Sequence, residues 1–238
     1  MFLLFWTPVE KHGSIDGGRE CGPALTPAPL EEEWAVEWWI PRHEEKLQKE
    51  VRETARLLFL GDSITHGWET TGNEVFKQYY ADYNTYNIGF SGDRTENVLW
   101  RLQNGEIDGI NPEAAVLMIG TNNTGHRQDP SECTSEGILK ILDELHDKLP
   151  ETHVLLLAIF PRDEFPDDEL RVLNREINQK IEMYGEREQV TFLDINHLFL
   201  DDDGVLSEEI MPDLLHPNER GYQIWAEGMN STIQGLLN

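Results

Sequence analysis

A serine, an aspartate and a histidine stand where they can form a nucleophile and its base: Ser63, Asp213 and His216. A serine hydroxyl is a weak nucleophile until an imidazole takes its proton, and that imidazole must be oriented by a third group. The Asp-x-x-His spacing lets the carboxylate reach one ring nitrogen while the other faces the serine. These residues predict acyl transfer, with His216 as the general base and then the general acid.

Ester hydrolysis also needs hydrogen-bond donors aimed at the oxyanion of the tetrahedral intermediate. Three donors are available: the backbone N–H groups of Ser63 and Gly92, and the side-chain amide of Asn122. Glycine has no side chain to keep a substrate from the backbone. We therefore predict an oxyanion hole made by Ser63, Gly92 and Asn122.

The elements that must position these residues follow a repeated β-α pattern. Five apolar runs of strand length alternate with helix-like stretches, and they are Leu57–Leu60, Thr85–Ile88, Ala114–Ile119, Val154–Phe160 and Val190–Ile195. Such alternation favours a parallel sheet covered on both faces, joined by right-handed crossovers. We predict an α/β fold, a three-layer α/β/α sandwich with a five-stranded parallel sheet in flavodoxin-like order.

Four polar or glycine-rich segments follow strands of this sheet: residues 61–67, 89–93, 120–123 and 213–217. Because ligands of open α/β sheets sit beyond the carboxyl ends of the strands, these segments are expected to meet at one edge.

The chain before residue 34 follows a different pattern. Residues 1–33 are rich in glycine and proline without a sustained period, so we predict an irregular N-terminal extension followed by a single domain over residues 34–238. From residue 33 to 55 the pattern is helical, with Trp34, Trp38 and Trp39 as candidate apolar anchors.

The segments after the strands resemble the four signature blocks of the SGNH or GDSL hydrolase superfamily, in their expected order. The blocks are Gly61-Asp62-Ser63-Ile64, Gly92, Gly120-Thr121-Asn122 and Asp213-x-x-His216. Residues 87–102 and 160–162 are further similar to the catalytic subunits of platelet-activating-factor acetylhydrolase and their bacterial relatives, over about residues 34–237. Ser91 departs from this pattern, since the relatives commonly have glycine there.

The resemblance implies an SGNH hydrolase domain and a serine esterase of short-chain, chiefly acetyl, carboxylic esters. Its triad would be Ser63, Asp213 and His216, and an acyl-enzyme would form on Ser63. It implies neither a metal nor an organic cofactor, and relatives often form homodimers. Two alternatives stay open: a deacetylase of phospholipids resembling platelet-activating factor, and a non-catalytic α/β ligand-binding module, since the same crevice holds other ligands in other proteins.

Four further residues are candidates for the substrate pocket: Asp62, Arg94, Phe160 and Arg162. Each also has a structural interpretation. Asp62 suits the cap of a helix, and Arg94 suits a salt bridge. The Phe-Pro-Arg run at residues 160–162 is also typical of a turn.

His197 is the main rival to His216, because it follows Asp194 with the same Asp-x-x-His spacing. We favour His216 because Pro217 and a terminal helix follow it, as in the family the chain resembles.

Composition limits the partners. The chain of 238 residues has 45 Asp and Glu against 19 Lys and Arg, a formal net charge of -26, so it would repel a phosphate backbone. Nucleic acid is excluded as a partner on this ground. This excess of acidic residues is compatible with adaptation to high salt and equally with an ordinary acidic protein.

The two cysteines, Cys21 and Cys133, have no metal-ligand spacing, and they leave a single disulfide open. The apolar run Val154–Phe160 is too short to span a membrane. We expect a soluble protein and favour the cytoplasm, because Met1–Trp6 is apolar but lacks the basic leader of a signal peptide.

Overall fold

The computed structural model describes residues 21–237. It contains one five-stranded parallel sheet in the order β2-β1-β3-β4-β5. The strands are β1 (Leu57–Gly61), β2 (Tyr86–Gly89), β3 (Ala114–Met118), β4 (His153–Leu157) and β5 (Val190–Leu193). The helices are α1 (Gly22–Leu25), α2 (Trp39–Leu47), α3 (Val51–Thr54), α4 (Ser63–His66), α5 (Asn73–Tyr80), α6 (Thr95–Gln103), α7 (Thr121–Arg127), α8 (Ser131–Lys148), α9 (Glu169–Ile181) and α10 (Glu219–Leu236). Short 3-10 turns lie at Gly67–Glu69, Ala81–Tyr83, Glu182–Glu186 and Asn196–Phe199.

The sheet is covered on both faces, as the sequence predicts. Alternate residues of β1 enter different cores: Leu58 and Leu60 pack in one, and Leu57 and Phe59 pack in the other. This follows from the two-residue period of a strand. The first core is completed by α6, α8 and α9, and the second by α5 and α10. The predicted three-layer α/β/α sandwich is confirmed.

The register of the sheet aligns the carboxyl ends of its central strands. Gly61, the last residue of β1, pairs with Gly89 of β2 on one side and with Met118 of β3 on the other. A Cβ atom at Gly89 would collide with the backbone of Thr65 and His66, so α4 packs directly on the end of β2. Loops after three strands thus start side by side.

The structure describes the N-terminal chain from residue 21. It forms the short helix α1 and buries Ala24 and Leu30 against the domain. Cys21 forms a disulfide with Cys133 of α8, with Cα atoms 4.9 Å apart. This segment therefore packs on the domain before residue 34. The remainder of the expected extension, residues 1–20 with Met1–Trp6, lies outside the described residues.

The short helix α4 begins at Ser63, where Asp62 suits a helix cap by sequence, whereas the short helix α7, which begins at Thr121, was not predicted. In residues 21–237 no helix combines the length and hydropathy needed to cross a bilayer.

Candidate active site

Ser63 is the first residue of α4, directly beyond the end of β1. Asp62 caps this helix, because its Oδ1 accepts the backbone N–H of Ile64 at 3.0 Å. The hydroxyl of Tyr222 on α10 donates to the carbonyl of Ile64 at 2.7 Å. Ser63 is therefore held by its own strand and by the C-terminal helix.

His216 contacts both of its predicted partners. The Ser63 hydroxyl donates to Nε2 of His216 at 2.8 Å, and Nδ1 of His216 donates to Oδ2 of Asp213 at 2.6 Å. A carboxylate only accepts hydrogen bonds, so Nδ1 carries the proton and Nε2 is left as the acceptor that faces the serine. The predicted trio thus forms one continuous chain of hydrogen bonds.

A tight turn between Asp213 and His216 lets two side chains only three residues apart form a hydrogen bond with each other. Oδ1 of Asp213 accepts the backbone N–H groups of Leu215 at 3.1 Å and of His216 at 2.7 Å. Leu214 has φ of 58°, a left-handed conformation that costs a non-glycine residue about 1–3 kcal/mol. Its carbonyl accepts the N–H of Asp163 at 2.9 Å, which holds the turn in place.

The two aspartates of the site have opposite pKa shifts. Burial would raise the pKa of Asp213, but hydrogen bonds from the side chain and backbone of His216 overcome it and hold the pKa below its usual range. Asp62 is buried, and this burial raises its pKa to about 6 against the opposing pull of the Ile64 N–H and of His216. Asp213 is therefore the carboxylate that stays ionised beside the imidazole.

Asp93, the residue after Gly92, connects the loop of Gly92 to Asn122. Nδ2 of Asn122 donates to the backbone carbonyl of Asp93 at 3.0 Å, and the second proton of that amide is free for another acceptor. The Asp93 carboxylate is buried and accepts from Trp39 at 2.6 Å and from Arg101 at 2.8 Å. Gly92 has φ of 83°, which favours glycine. One buried aspartate thus links the loop of Gly92 to the start of α7.

The four pocket candidates have different surroundings. Asp62 is the cap described above. Arg162 donates from Nη1 to the carbonyl of Thr121 at 3.0 Å, which ties the loop after β4 to the start of α7. Arg94 is buried and forms ion pairs with Glu32 at 2.5 Å and Glu96 at 2.8 Å.

Phe160 differs from the expectation of a pocket wall. Its side chain is buried and packs on Phe199 and Trp225, with ring centroids 4.6 and 4.9 Å away, because the end of β4 turns it into the second core. Phe160 also borders a cavity of about 390 Å³ between α9 and β5. The lining of that cavity includes none of Ser63, Asp213 and His216.

In the part of the chain that the structure describes, the rival pair, Asp194 and His197, is not connected to Ser63 by hydrogen bonds. Both residues are exposed, and Oδ1 of Asp194 accepts the backbone N–H of Asn196 at 2.8 Å. No hydrogen bond within residues 21–237 joins His197 to Ser63, whose partner is His216. Residues 21–237 also contain no cluster of three or more His, Cys, Asp or Glu arranged to hold a metal ion.

Sequence reasoning missed an aromatic group beside Gly92. Of the three tryptophans expected as anchors, Trp39 is fully buried, whereas Trp34 is 52% exposed. Trp34 packs against His126, and Trp38 packs against His66. Trp34 and Trp39 are five residues apart, and this spacing alone does not say which of them faces the core. The signal in the sequence was the excess of tryptophan in one segment.

The chain is similar to known proteins in both sequence and fold. The model of the GDSL-like lipase/acylhydrolase family matches residues 59–224. The chain is 30% identical to the human platelet-activating factor acetylhydrolase IB subunit alpha1 over 219 residues, which cover 92% of each protein. It is 29% identical to the rat alpha2 subunit, over 92% of this chain and 93% of that one.

Solved structures share the fold. A GDSL-like lipase from Bacteroides thetaiotaomicron superposes with a TM-score of 0.67 at 21% identity, covering 84% of this chain and 97% of that one. An acetylxylan esterase from Geobacillus stearothermophilus superposes with a TM-score of 0.58 at 16% identity, covering 80% and 97%. Because the family model covers most of the chain, the protein belongs to the GDSL-like lipase/acylhydrolase family and is a carboxylic-ester hydrolase.

Proposed function

We propose that the protein hydrolyses esters of short acyl groups, chiefly acetyl, through an acyl-enzyme on Ser63. The observation that carries this proposal is the chain of hydrogen bonds from the Ser63 hydroxyl through His216 to Asp213. A serine activated in this way attacks acyl carbons.

In the first half of the reaction, Nε2 of His216 takes the proton of Ser63 as Oγ bonds to the carbonyl carbon. The negative charge that develops on the carbonyl oxygen is stabilised by the N–H groups of Ser63 and Gly92 and by the amide of Asn122. When the intermediate collapses, the bond to the alcohol oxygen breaks, and the alcohol leaves with the proton from His216.

In the second half, His216 takes a proton from water, and the hydroxide attacks the acyl-enzyme. The bond to Ser63 Oγ breaks, and this oxygen regains the proton from His216. The ionised Asp213 stabilises the imidazolium formed in each half. Side chains and water supply every group that the reaction needs.

The preference for acetyl is supported by the names of the similar proteins, which are an acetylhydrolase and an acetylxylan esterase. A phospholipid deacetylase is the second candidate, and it is favoured by the 30% identity to the acetylhydrolase subunit across almost the whole chain. Rates on an acetylated ether phospholipid and on acetylated sugars separate the two candidates. A homodimer stays a prediction.

The disulfide gives evidence on the cellular compartment of the protein. A bond between Cys21 and Cys133 is typical of an oxidising environment, which argues against the cytoplasm favoured from the sequence. Alkylation of free thiols in freshly lysed cells, followed by intact mass, checks whether both cysteines are protected.

The test of the reaction is Ser63→Ala. We expect kcat on a short aryl acetate to fall about 10⁶-fold, because the nucleophile is lost and only the oxyanion donors and substrate binding stay. Intact mass spectrometry during turnover should show one acetyl group on the wild type and none on the variant. Wild-type activity in Ser63→Ala would refute the proposal.

A further inference from the structure

Trp34 lies directly on Gly92, the residue proposed as an oxyanion donor. The Cζ2 atom of Trp34 is 2.9 Å from the position that a Cβ on residue 92 would occupy, and Cη2 is closer still. Only glycine leaves room for this contact. Trp34 is nevertheless 52% exposed, so the indole is available both to the loop and to a ligand.

Three more rings extend this surface, and we call Trp34, Trp38, His66 and His126 the aromatic wall. Ring centroids are 6.2 Å apart between Trp34 and Trp38, 6.4 Å between Trp34 and His126, and 6.3 Å between Trp38 and His66. Burial lowers the pKa of both histidines, that of His66 to about 4, so both rings are uncharged at neutral pH. The wall is an uncharged platform of aromatic rings.

The wall borders the reacting serine. His66 and Ser63 belong to the same helical turn, α4. Nδ1 of His66 lies within hydrogen-bond distance of the Ser91 hydroxyl, at 3.0 Å, and Ser91 precedes Gly92. An ester bound to Ser63 and Gly92 therefore places one of its ends near these rings.

Charged side chains surround the outer part of the wall. Glu32, Arg94 and Arg127 line the same open depression as Trp34 and His126. Both arginines already form ion pairs, and an alkyl chain laid there would remove the hydration that the charges keep without replacing it, whereas a hydroxylated ring would supply hydrogen bonds. A flat indole with a polar rim fits a molecule that is apolar on its face and polar at its edge.

We propose that the aromatic wall binds the alcohol part of the ester, and that this alcohol is a polar ring, as in an acetylated sugar. The inference rests on the proposed esterase function. It makes Trp34 a residue that determines substrate specificity.

The test compares two acetates with the same acyl group: a mono-acetylated methyl glycoside, which carries the ring, and ethyl acetate, which does not. In Trp34→Ala we expect the ratio of kcat/KM for the glycoside to that for ethyl acetate to fall about tenfold, equivalent to ~1.4 kcal/mol, mainly through KM. Trp34→Phe should lose less, because it keeps a flat ring. Met183→Ala, an exposed apolar residue outside the wall, is the control and should keep the wild-type ratio.

Three results would overturn the inference. An equal loss on both acetates would mean that Trp34 only supports the Gly92 loop. A larger loss on an acetylated ether phospholipid than on the glycoside would assign the wall to lipid. An unchanged ratio together with a change of oligomeric state in size-exclusion chromatography would assign it to a second copy of the chain. Failure of the proposed function is distinct from all three, because the wild type would then cleave neither acetate through Ser63.

Discussion

The guanidinium of Arg101 donates to the carboxylate of Asp93 at 2.8 Å, and neither side chain is exposed. This pair lies beneath the loop of Gly92, and the backbone carbonyl of Asp93 also accepts the amide of Asn122. A buried ion pair contributes less to stability than its distance suggests, because both charges lose hydration. Its value here is to hold two proposed oxyanion donors in one arrangement.

We therefore predict that Asp93→Asn affects both stability and turnover. The buried Arg101 would keep its ion pair with Glu106 but lose the one with Asp93, so the free energy of unfolding in urea should fall by about 2 kcal/mol. Misplaced donors should lower kcat on a short ester by roughly tenfold, with KM little changed. The control is Asp108→Asn, which removes an exposed pair with Lys148 and should cost under about 1 kcal/mol. A destabilised Asp93→Asn variant with wild-type kcat would limit Asp93 to folding.

A second prediction uses the two Asp-x-x-His pairs. Asp213→Asn should lower kcat by about 10³–10⁴-fold, because an amide in place of the carboxylate favours the wrong tautomer of His216. Asp194→Asn is the matched control, with the same substitution at the same spacing from His197. Steady-state kinetics of both variants on one aryl acetate is the measurement. Equal losses, or a greater loss at Asp194, would contradict the assignment of His216.

A third prediction concerns pH. The folded-state pKa of Asp62 is raised by burial from 3.8 to about 6, so between these values the folded protein binds more protons than the unfolded chain. The contribution of this group to stability is then complete below about pH 4 and decreases as the pH rises to 6. Asp62→Asn resembles the protonated form and keeps an oxygen for the Ile64 N–H. Its melting temperature relative to the wild type should therefore increase from pH 4 to 6 and level off above.

Melting of both proteins across a pH series from 4 to 8 checks this, and the difference between them cancels groups that titrate in both. A difference that does not change with pH would show that the pKa of Asp62 is the same in the folded and unfolded states, and would contradict the effect of burial.

A fourth prediction concerns the disulfide. It joins residues 112 apart, and closing so long a loop in the unfolded chain typically stabilises a domain by about 2–4 kcal/mol. We expect Cys21→Ser, Cys133→Ser and the reduced wild type to melt at similar temperatures, all below the oxidised wild type. Scanning calorimetry with and without reductant is the measurement. A melting temperature of the wild type that is insensitive to reduction would exclude the bond.

Much of the fold and of the candidate site follows from local sequence pattern. Runs such as Ala114–Met118 are apolar without interruption, which indicates buried strands, and the polar residues of the site follow the strands directly. The register of Gly61 with Gly89 then brings those loops together, as expected for any parallel sheet. The order of the four blocks in the sequence by itself indicates the family.

Other features depend on contacts between distant parts of the chain. Asp213 and Asp194 look alike in sequence, and only the packing of α10 on α4 brings His216 to Ser63. The core position of Phe160 and the contact of Trp34 with Gly92 are likewise absent from local pattern. The sequence by itself determined the strands, their loops and the set of reactive groups, because backbone geometry and hydrophobic period act over a few residues. Only the tertiary structure decided which groups meet and what surrounds them, because those pairings depend on how whole elements pack.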